Sequence, residues 1–152
     1  MLIRLAQPQD AETIADFNTR LAAETENKQL DPATIRAGVS ALLADPHHGR
    51  YFVACADGQI VGQMMHTREW SDWRNGEIWW LQSVYVHPDY RRGGVFRALY
   101  RHLAELAEQS SQVVGLRLYV EEHNAKAIEA YRSLGLELAG YAVMERMWGK
   151  LL

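Results

Sequence analysis

Apolar positions along this chain switch between two spacings, and each switch marks a new element. The stretch LIRLA, residues 2–6, opens as a short strand. Behind Pro8 and Asp10, the apolar residues Ile14, Phe17, Leu21 and Ala22 recur at helical intervals, which predicts a first helix. A second helix is predicted over DPATIRAGVSALLADP, with Asp31 as its cap, Pro32 in its first turn and Pro46 beyond its end. The runs RYFVACA and QIVGQMMHT then read as strands joined at Asp57-Gly58, a strong hairpin signal.

The second half repeats the strand-helix change twice. EIWWLQSVYVHP is rich in aromatic and β-branched residues and predicts a long strand. VFRALYRHLAELAEQ places Phe96, Leu99, Leu103, Leu106 and Ala107 on one helical face. VVGLRLYV predicts a strand. NAKAIEAYRSLG predicts a helix capped by Asn124 and stopped by Gly135, and YAVMERMW a final strand. The order β-α-α-β-β-β-α-β-α-β implies an α/β (α+β) fold, with a mixed, mostly antiparallel sheet and helices on its faces.

Length and composition narrow the class. A chain of 152 residues without repeats or linkers reads as one domain over residues 1–152. Net charge is −3, which gives no global attraction to nucleic acid or to an anionic membrane. No apolar run approaches a membrane span, and MLIRLAQPQDAE lacks the apolar core of a signal peptide. The lone Cys55 cannot form an internal disulfide, so a cytoplasmic location is expected. Cys55 lies in an apolar strand-like run and reads as a small packed side chain. The six histidines show no metal-ligand spacing, so no metal is expected.

The chemistry sits at the junction YRRGGVFRAL. Gly93 and Gly94 stand where the helix begins, and its first N–H groups lack partners and carry the positive end of the helix dipole. Arg91, Arg92 and Arg97 add positive charge. Such a junction suits a pyrophosphate, although an ordinary glycine turn with solvated arginines has the same composition. No lysine-serine or lysine-threonine pair follows the glycines, and the spacing is not G-x-G-x-x-G, so two familiar phosphate loops are excluded. Downstream, Asn124 and Tyr131 are seven residues apart, about two turns, and share a helix face. A tyrosine there could donate a proton to a leaving group, or pack in the core with its hydroxyl at the rim.

These residues carry a resemblance. VYVHPDYRRGGVFRALYRHL followed by LRLYVEEHNAKAIEAYRSLGL resembles the GNAT superfamily of acyl-CoA-dependent N-acetyltransferases, most closely over Ser83 to Leu136. The superfamily's V-x-P-x-[YF]-R is met by Val86, Pro88, Tyr90 and Arg91. Its [QR]-x-x-G-x-[GA] is met by Arg91 and Gly94, but Phe96 stands where a small residue is usual. Its N-x-x-[AS]-x-x-x-Y-x-x-x-G-[FL] is met by Asn124, Ala127, Tyr131, Gly135 and Leu136.

The resemblance implies a twisted, mostly antiparallel sheet of six to seven strands with about four helices. It also implies acetyl-CoA as co-substrate. The pantetheine arm would pair with the strand at Val84, Tyr85 and Val86, and the pyrophosphate would lie on Arg91, Arg92, Gly93, Gly94, Val95, Phe96 and Arg97. Asn124 and Ala127 would border the arm, and Tyr131 would protonate the departing thiolate. A primary amine would attack the thioester directly.

Many members carry a glutamate where this chain has Trp80. Glu77 is near, but strand periodicity turns it to the other face. Glu24 and Glu26, where the first helix ends, could draw a cationic amine or be merely solvated. Trp70, Trp73 and Trp80 could line an acceptor pocket, or serve strand packing and a homodimer contact. The expected acceptor is a small cationic or aromatic amine. Protein N-termini or lysines, and a non-catalytic acyl-CoA-binding role, are the alternatives.

Overall fold

A computed structural model of the chain describes residues 1–149. Nine principal elements follow in order: β1 (Leu2–Leu5), α1 (Ala11–Glu26), α2 (Pro32–Ala44), β2 (Arg50–Ala56), β3 (Gln59–Ser71), β4 (Gly76–Val86), α3 (Val95–Gln109), β5 (Val113–Leu118) and α4 (Ala125–Ser133). The strands form one sheet in the order β1-β2-β3-β4-β5. The first four pair antiparallel with their neighbours, and β5 runs parallel to β4.

Local chemistry sets the boundaries much as the pattern predicts. The Asp31 carboxylate accepts from the Thr34 N–H at 3.0 Å and caps α2. Asp57 and Gly58 both adopt positive φ, 53° and 78°, as a tight hairpin turn between β2 and β3 requires. Gly135, at φ 95°, ends the α4 turn, and the next N–H, of Leu136, returns to the Tyr131 carbonyl.

The sheet buries both faces over most of its width. Phe52, Ala54, Val61, Met64, Trp79 and Leu81 pack with Val95, Leu99, Leu103 and Ala107 of α3 on one face. Tyr51, Val53 and Met65 meet Ile14, Ala15 and Val39 of α1 and α2 on the other. Val95 holds the place on the buried α3 face that periodicity gave to Phe96. Phe96 is half-buried and reaches toward α4, its ring 6.0 Å from that of Tyr131.

The expected count of six to seven strands is corrected to five among the described residues. The stretch YAVMERMW forms no strand, and every residue from Glu137 to Gly149 is exposed. Strand propensity becomes a strand only on a neighbouring edge, and this stretch leaves the body after Leu136. As a result β5 is an edge strand, and none of its residues is fully buried.

Candidate functional site

A bulge in β4 is the first feature of the site. Leu81 faces α3, and four residues later Tyr85 faces α1, its ring 5.1 Å from Phe17. Strict alternation would put both on one face, so one residue must slip between them. The slip is at Ser83, which adopts φ 51°, and the pairing with β3 shifts there between Gln63 and Met65. Val84 and Val86 are thereby turned onto the α3 core.

Pairing of β4 with β5 ends at Leu81 and Leu118, just before the bulge. The His87 N–H donates to the Val61 carbonyl of β3 at 2.8 Å. By alternation, the backbone groups of Val84 and Val86 point the other way, into the notch between the diverging strands. One of them is taken: the Val86 carbonyl accepts from Arg91 Nε at 2.9 Å. The rest form a short open strand edge, able to pair with an extended, amide-bearing ligand.

A buried polar cluster underlies the bulge. Gln63, fully buried, donates through Nε2 to the Ser83 carbonyl at 3.0 Å and to Asn18 Oδ1 at 3.1 Å. Asn18 donates in turn to the Tyr51 hydroxyl at 2.9 Å. Burial raises the Tyr51 hydroxyl above its ordinary pKa, so it stays protonated at neutral pH. Nothing in the motif residues signalled this cluster. The one trace was a polar residue, Gln63, inside the apolar run IVGQMM.

The mouth of the notch holds the glycine junction. Arg92 and Gly94 adopt left-handed φ of 68° and 83°, on either side of Gly93. Successive N–H groups in such a turn converge on one point and make an anion-binding concavity. Gly94 leads directly into α3 with no side-chain cap, so the first-turn amides of Val95, Phe96 and Arg97 face the same region. A methyl on Gly93 would lie 3.3 Å from the Tyr90 carbonyl, a close approach that a larger residue would crowd.

The arginines divide. Arg92 and Arg97 are exposed beside the junction. The Arg91 guanidinium is instead bound to Glu24 at 2.8 Å and lies over the Tyr85 ring at 5.3 Å. The Tyr85 hydroxyl donates to the same carboxylate at 3.2 Å. Glu24 therefore ties the end of α1 to the junction and is not a free carboxylate, as the sequence left open. Burial, and then the Glu24 charge, raise the Tyr85 pKa.

The other wall of the notch is α4. Asn124 Oδ1 accepts from the Ala127 N–H at 3.1 Å, capping the helix as expected and leaving its amide group to donate. Tyr131 is half-buried against Phe96, and burial alone raises its pKa. Its hydroxyl has no hydrogen-bond partner among the described residues, so it is a protonated phenol with a proton to give.

A hollow of about 310 Å³ adjoins the notch between α1, α2 and the sheet, and Ser83 borders both. Asn18, Tyr51, Met65 and Val39 line it, and Glu26 is the one charged residue in its lining. Trp80 is half-buried on the same face of the sheet. Its Nε1 donates to Glu69 at 2.8 Å, and its ring tilts against Tyr119 at 4.6 Å. Arg117 closes on Glu69 at 3.1 Å. The Trp80 hydrogen bond first, and Arg117 second, hold the Glu69 carboxyl below its usual range. Sequence reasoning missed Glu69, Arg117 and Tyr119, because only strand register brings them to Trp80.

Trp70 and Trp73 are not brought here. They stand at the far β3–β4 turn, 61% and 88% exposed. Trp79 is the core member of its pair, and Glu77 bonds to the Trp79 indole on the α3 side, away from the hollow.

The sequence model of the acetyltransferase (GNAT) family matches residues 13–136. Over 149 aligned residues the chain is 29% identical to the thialysine N-epsilon-acetyltransferase of Sus scrofa, covering 89% of this chain and 83% of that protein. With the enzyme of the same name from Bos taurus it is 32% identical over 80 residues, which span 45% of that protein. It is 26% identical to the L-amino acid N-acetyltransferase AaaT of Escherichia coli, over 92% of this chain and 85% of that one. A crystal structure of "a possible acetyltransferase" from Clostridium difficile 630 superposes with a TM-score of 0.92 and 43% identity, over 98% of each chain.

Proposed function

The chain belongs to the acetyltransferase (GNAT) family, and from that premise we propose that it moves an acetyl group from acetyl-CoA to the primary amine of a small cationic molecule. The observation that carries this reading is the junction of two features at one place. An open β4 edge at Val84 and Val86 runs into an anion-binding turn at Arg92–Gly94. Together they suit a ligand with an extended amide arm and a pyrophosphate.

The residues present fit acetyl-CoA. The backbone of Val84 and Val86 would hold the pantetheine arm. The turn at Arg92–Gly94 and the first amides of α3 would hold the pyrophosphate, with Arg92 and Arg97 adding charge. Asn124, whose oxygen caps α4, would donate to the arm through its amide group. When bound, acetyl-CoA supplies a thioester that a neutral amine can attack.

Tyr131 is the proton donor for the leaving thiolate in this reading. Its raised pKa keeps the phenol protonated until that charge develops. The acceptor enters by the hollow at Ser83, where Glu26, the one charged residue of the lining, would attract a cation in competition with Lys28, 3.7 Å away. Glu69 is bound to Trp80 and Arg117, and Glu24 to Arg91, so neither carboxylate is free to take the amine proton. Glu26 is exposed at the mouth of the hollow, and in this reading the proton of the amine would leave to water there before the attack. The hollow, of about 310 Å³, has room for a small amine.

Isothermal titration with acetyl-CoA, desulfo-CoA and ATP tests the cofactor. Selective binding of both CoA compounds is the expected result, followed by thiol release with small diamines or amino acids. Failure of both CoA compounds to bind would overturn the reading.

A further inference from the structure

We propose that the Tyr51 hydroxyl, with the Ser83 side chain beside it, orients the attacking amine at the floor of the hollow, and that this floor takes the amine only in its neutral form. Within the acetyltransferase reading, on which this rests, a neutral primary amine attacks with its lone pair. Its N–H groups then point away from the thioester carbon and need acceptors on the protein. Asn18, Tyr51 and Ser83 are the polar, uncharged side chains that line the hollow, one each from α1, β2 and β4.

Hydrogen bonds preset this floor. Asn18 Nδ2 donates to the Tyr51 hydroxyl at 2.9 Å, and Asn18 Oδ1 accepts from Gln63 Nε2 at 3.1 Å. The same Gln63 nitrogen donates to the Ser83 carbonyl at 3.0 Å and fixes the bulge. Burial raises the Tyr51 pKa, and hydrogen bonding to Ser83 first and Asn18 second tempers the rise, so the Ser83 side chain stands beside the hydroxyl. A phenol oxygen that accepts once keeps a lone pair for a further donor. Gln63 Oε1, on the amide that anchors these bonds, is buried and has no partner among the described residues. A buried orphan acceptor is rare, and it marks a cluster built for a donor that the protein does not supply.

Charge is arranged to favour the neutral form. To the lining α1 contributes Glu26, exposed at the mouth with Lys28 3.7 Å from it. Helix α2 and strands β3 and β4 contribute no titratable side chain there, and β2 contributes only Tyr51 itself. Tyr51 is 3% exposed and Asn18 6%. An ammonium group moved from the mouth to such a floor loses its water and gains no counter-ion, which lowers its pKa. The ammonium therefore gives its proton to water near Glu26, and the neutral amine goes on to Tyr51. A diamine suits both ends, with one nitrogen charged beside Glu26 and the other uncharged at Ser83.

Calorimetry of tetramethylenediamine binding to the full chain saturated with desulfo-CoA reads the protonation state directly. Repeating it at neutral pH in buffers of different ionisation enthalpy counts the protons released. Release of about one proton per diamine bound is expected. Binding without release, or no binding to the loaded protein, overturns the proposal, while the acetyltransferase reading stands or falls on its own CoA titration. Tyr51→Phe keeps the ring in the core and removes the hydroxyl. It should lower kcat/KM for the diamine about tenfold, chiefly in kcat, while desulfo-CoA binds within about twofold of the parent. An unchanged kcat/KM overturns the role of Tyr51. Loss of desulfo-CoA binding in that variant assigns Tyr51 to support of the bulge and overturns it as well. The proton count is made on the parent protein, so it decides the matter even where the variant fails to fold.

Discussion

The two walls of the β4–β5 notch are built to different standards. The β4–α3 wall rests on a core in which Leu99 and Leu103 are fully buried. Its bulge is pinned from below by Gln63 and Asn18. The β5–α4 wall has no fully buried residue in either element. Its β5 lays the partly buried Leu116 and Leu118 against the α3 core, while α4 meets α3 through Phe96 against Tyr131 and a weak 3.4 Å bond from Tyr100 to the Leu134 carbonyl. Affinity for an anionic ligand is therefore preformed on one side, while the proton donor stands on the other, softer side. Local opening is drawn from regions with few buried apolar contacts, so α4 should open before β4 does.

The sharpest way to break this comparison is stability. Leu99→Ala removes a fully buried side chain and should cost about 2–5 kcal/mol. Leu118→Ala in β5 should cost less than half as much, by urea unfolding. Equal losses would mean that the two walls are packed equally firmly.

Acid should attack the firm side first. His66 is fully buried, stacked 4.0 Å from Trp79, and its pKa is lowered to about 4, mainly by burial. The unfolded chain binds this proton at ordinary imidazole pH, while the folded chain resists it. Stability from the neutral ring is present above about pH 6.5 and is lost as pH falls toward 4, by about 3 kcal/mol in all. Unfolding free energies measured across that range should show the slope, and His66→Phe should flatten it.

On the soft wall, Tyr131→Phe should lower turnover roughly 100-fold while desulfo-CoA binds within about twofold of the parent. Loss of binding along with turnover would assign Tyr131 to packing. On the firm wall, Gly94→Ala should do the reverse. Left-handed φ strains alanine by about 1 kcal/mol, so desulfo-CoA affinity should fall about fivefold and kcat at saturation should hold.

Much of this was legible in the residues. Helix caps at Asp31 and Asn124, the Asp57-Gly58 turn and the glycine junction depend on local chemistry, which a short window contains. The motif positions from Ser83 to Leu136 were enough to imply the family. The same reading assigned Glu24 to the acceptor as one of two alternatives, and it is bound to Arg91, 67 residues away. No local pattern reports such a partner. The Trp80, Glu69, Arg117 and Tyr119 group escaped for the same reason, since it spans three strands.

The sequence by itself determined the four helices and the first five strands, where the anion-binding turn lies, and that Asn124 and Tyr131 share a helix face. These follow from backbone sterics and a fixed helical repeat, which act within a few residues. Tertiary structure alone decided that Ser83 flips the end of β4, that Phe96 turns to Tyr131, and that YAVMERMW stands off the sheet. Each of those depends on what distant chain supplies as a partner: a buried amide from Gln63, a neighbouring helix, or an edge to pair with.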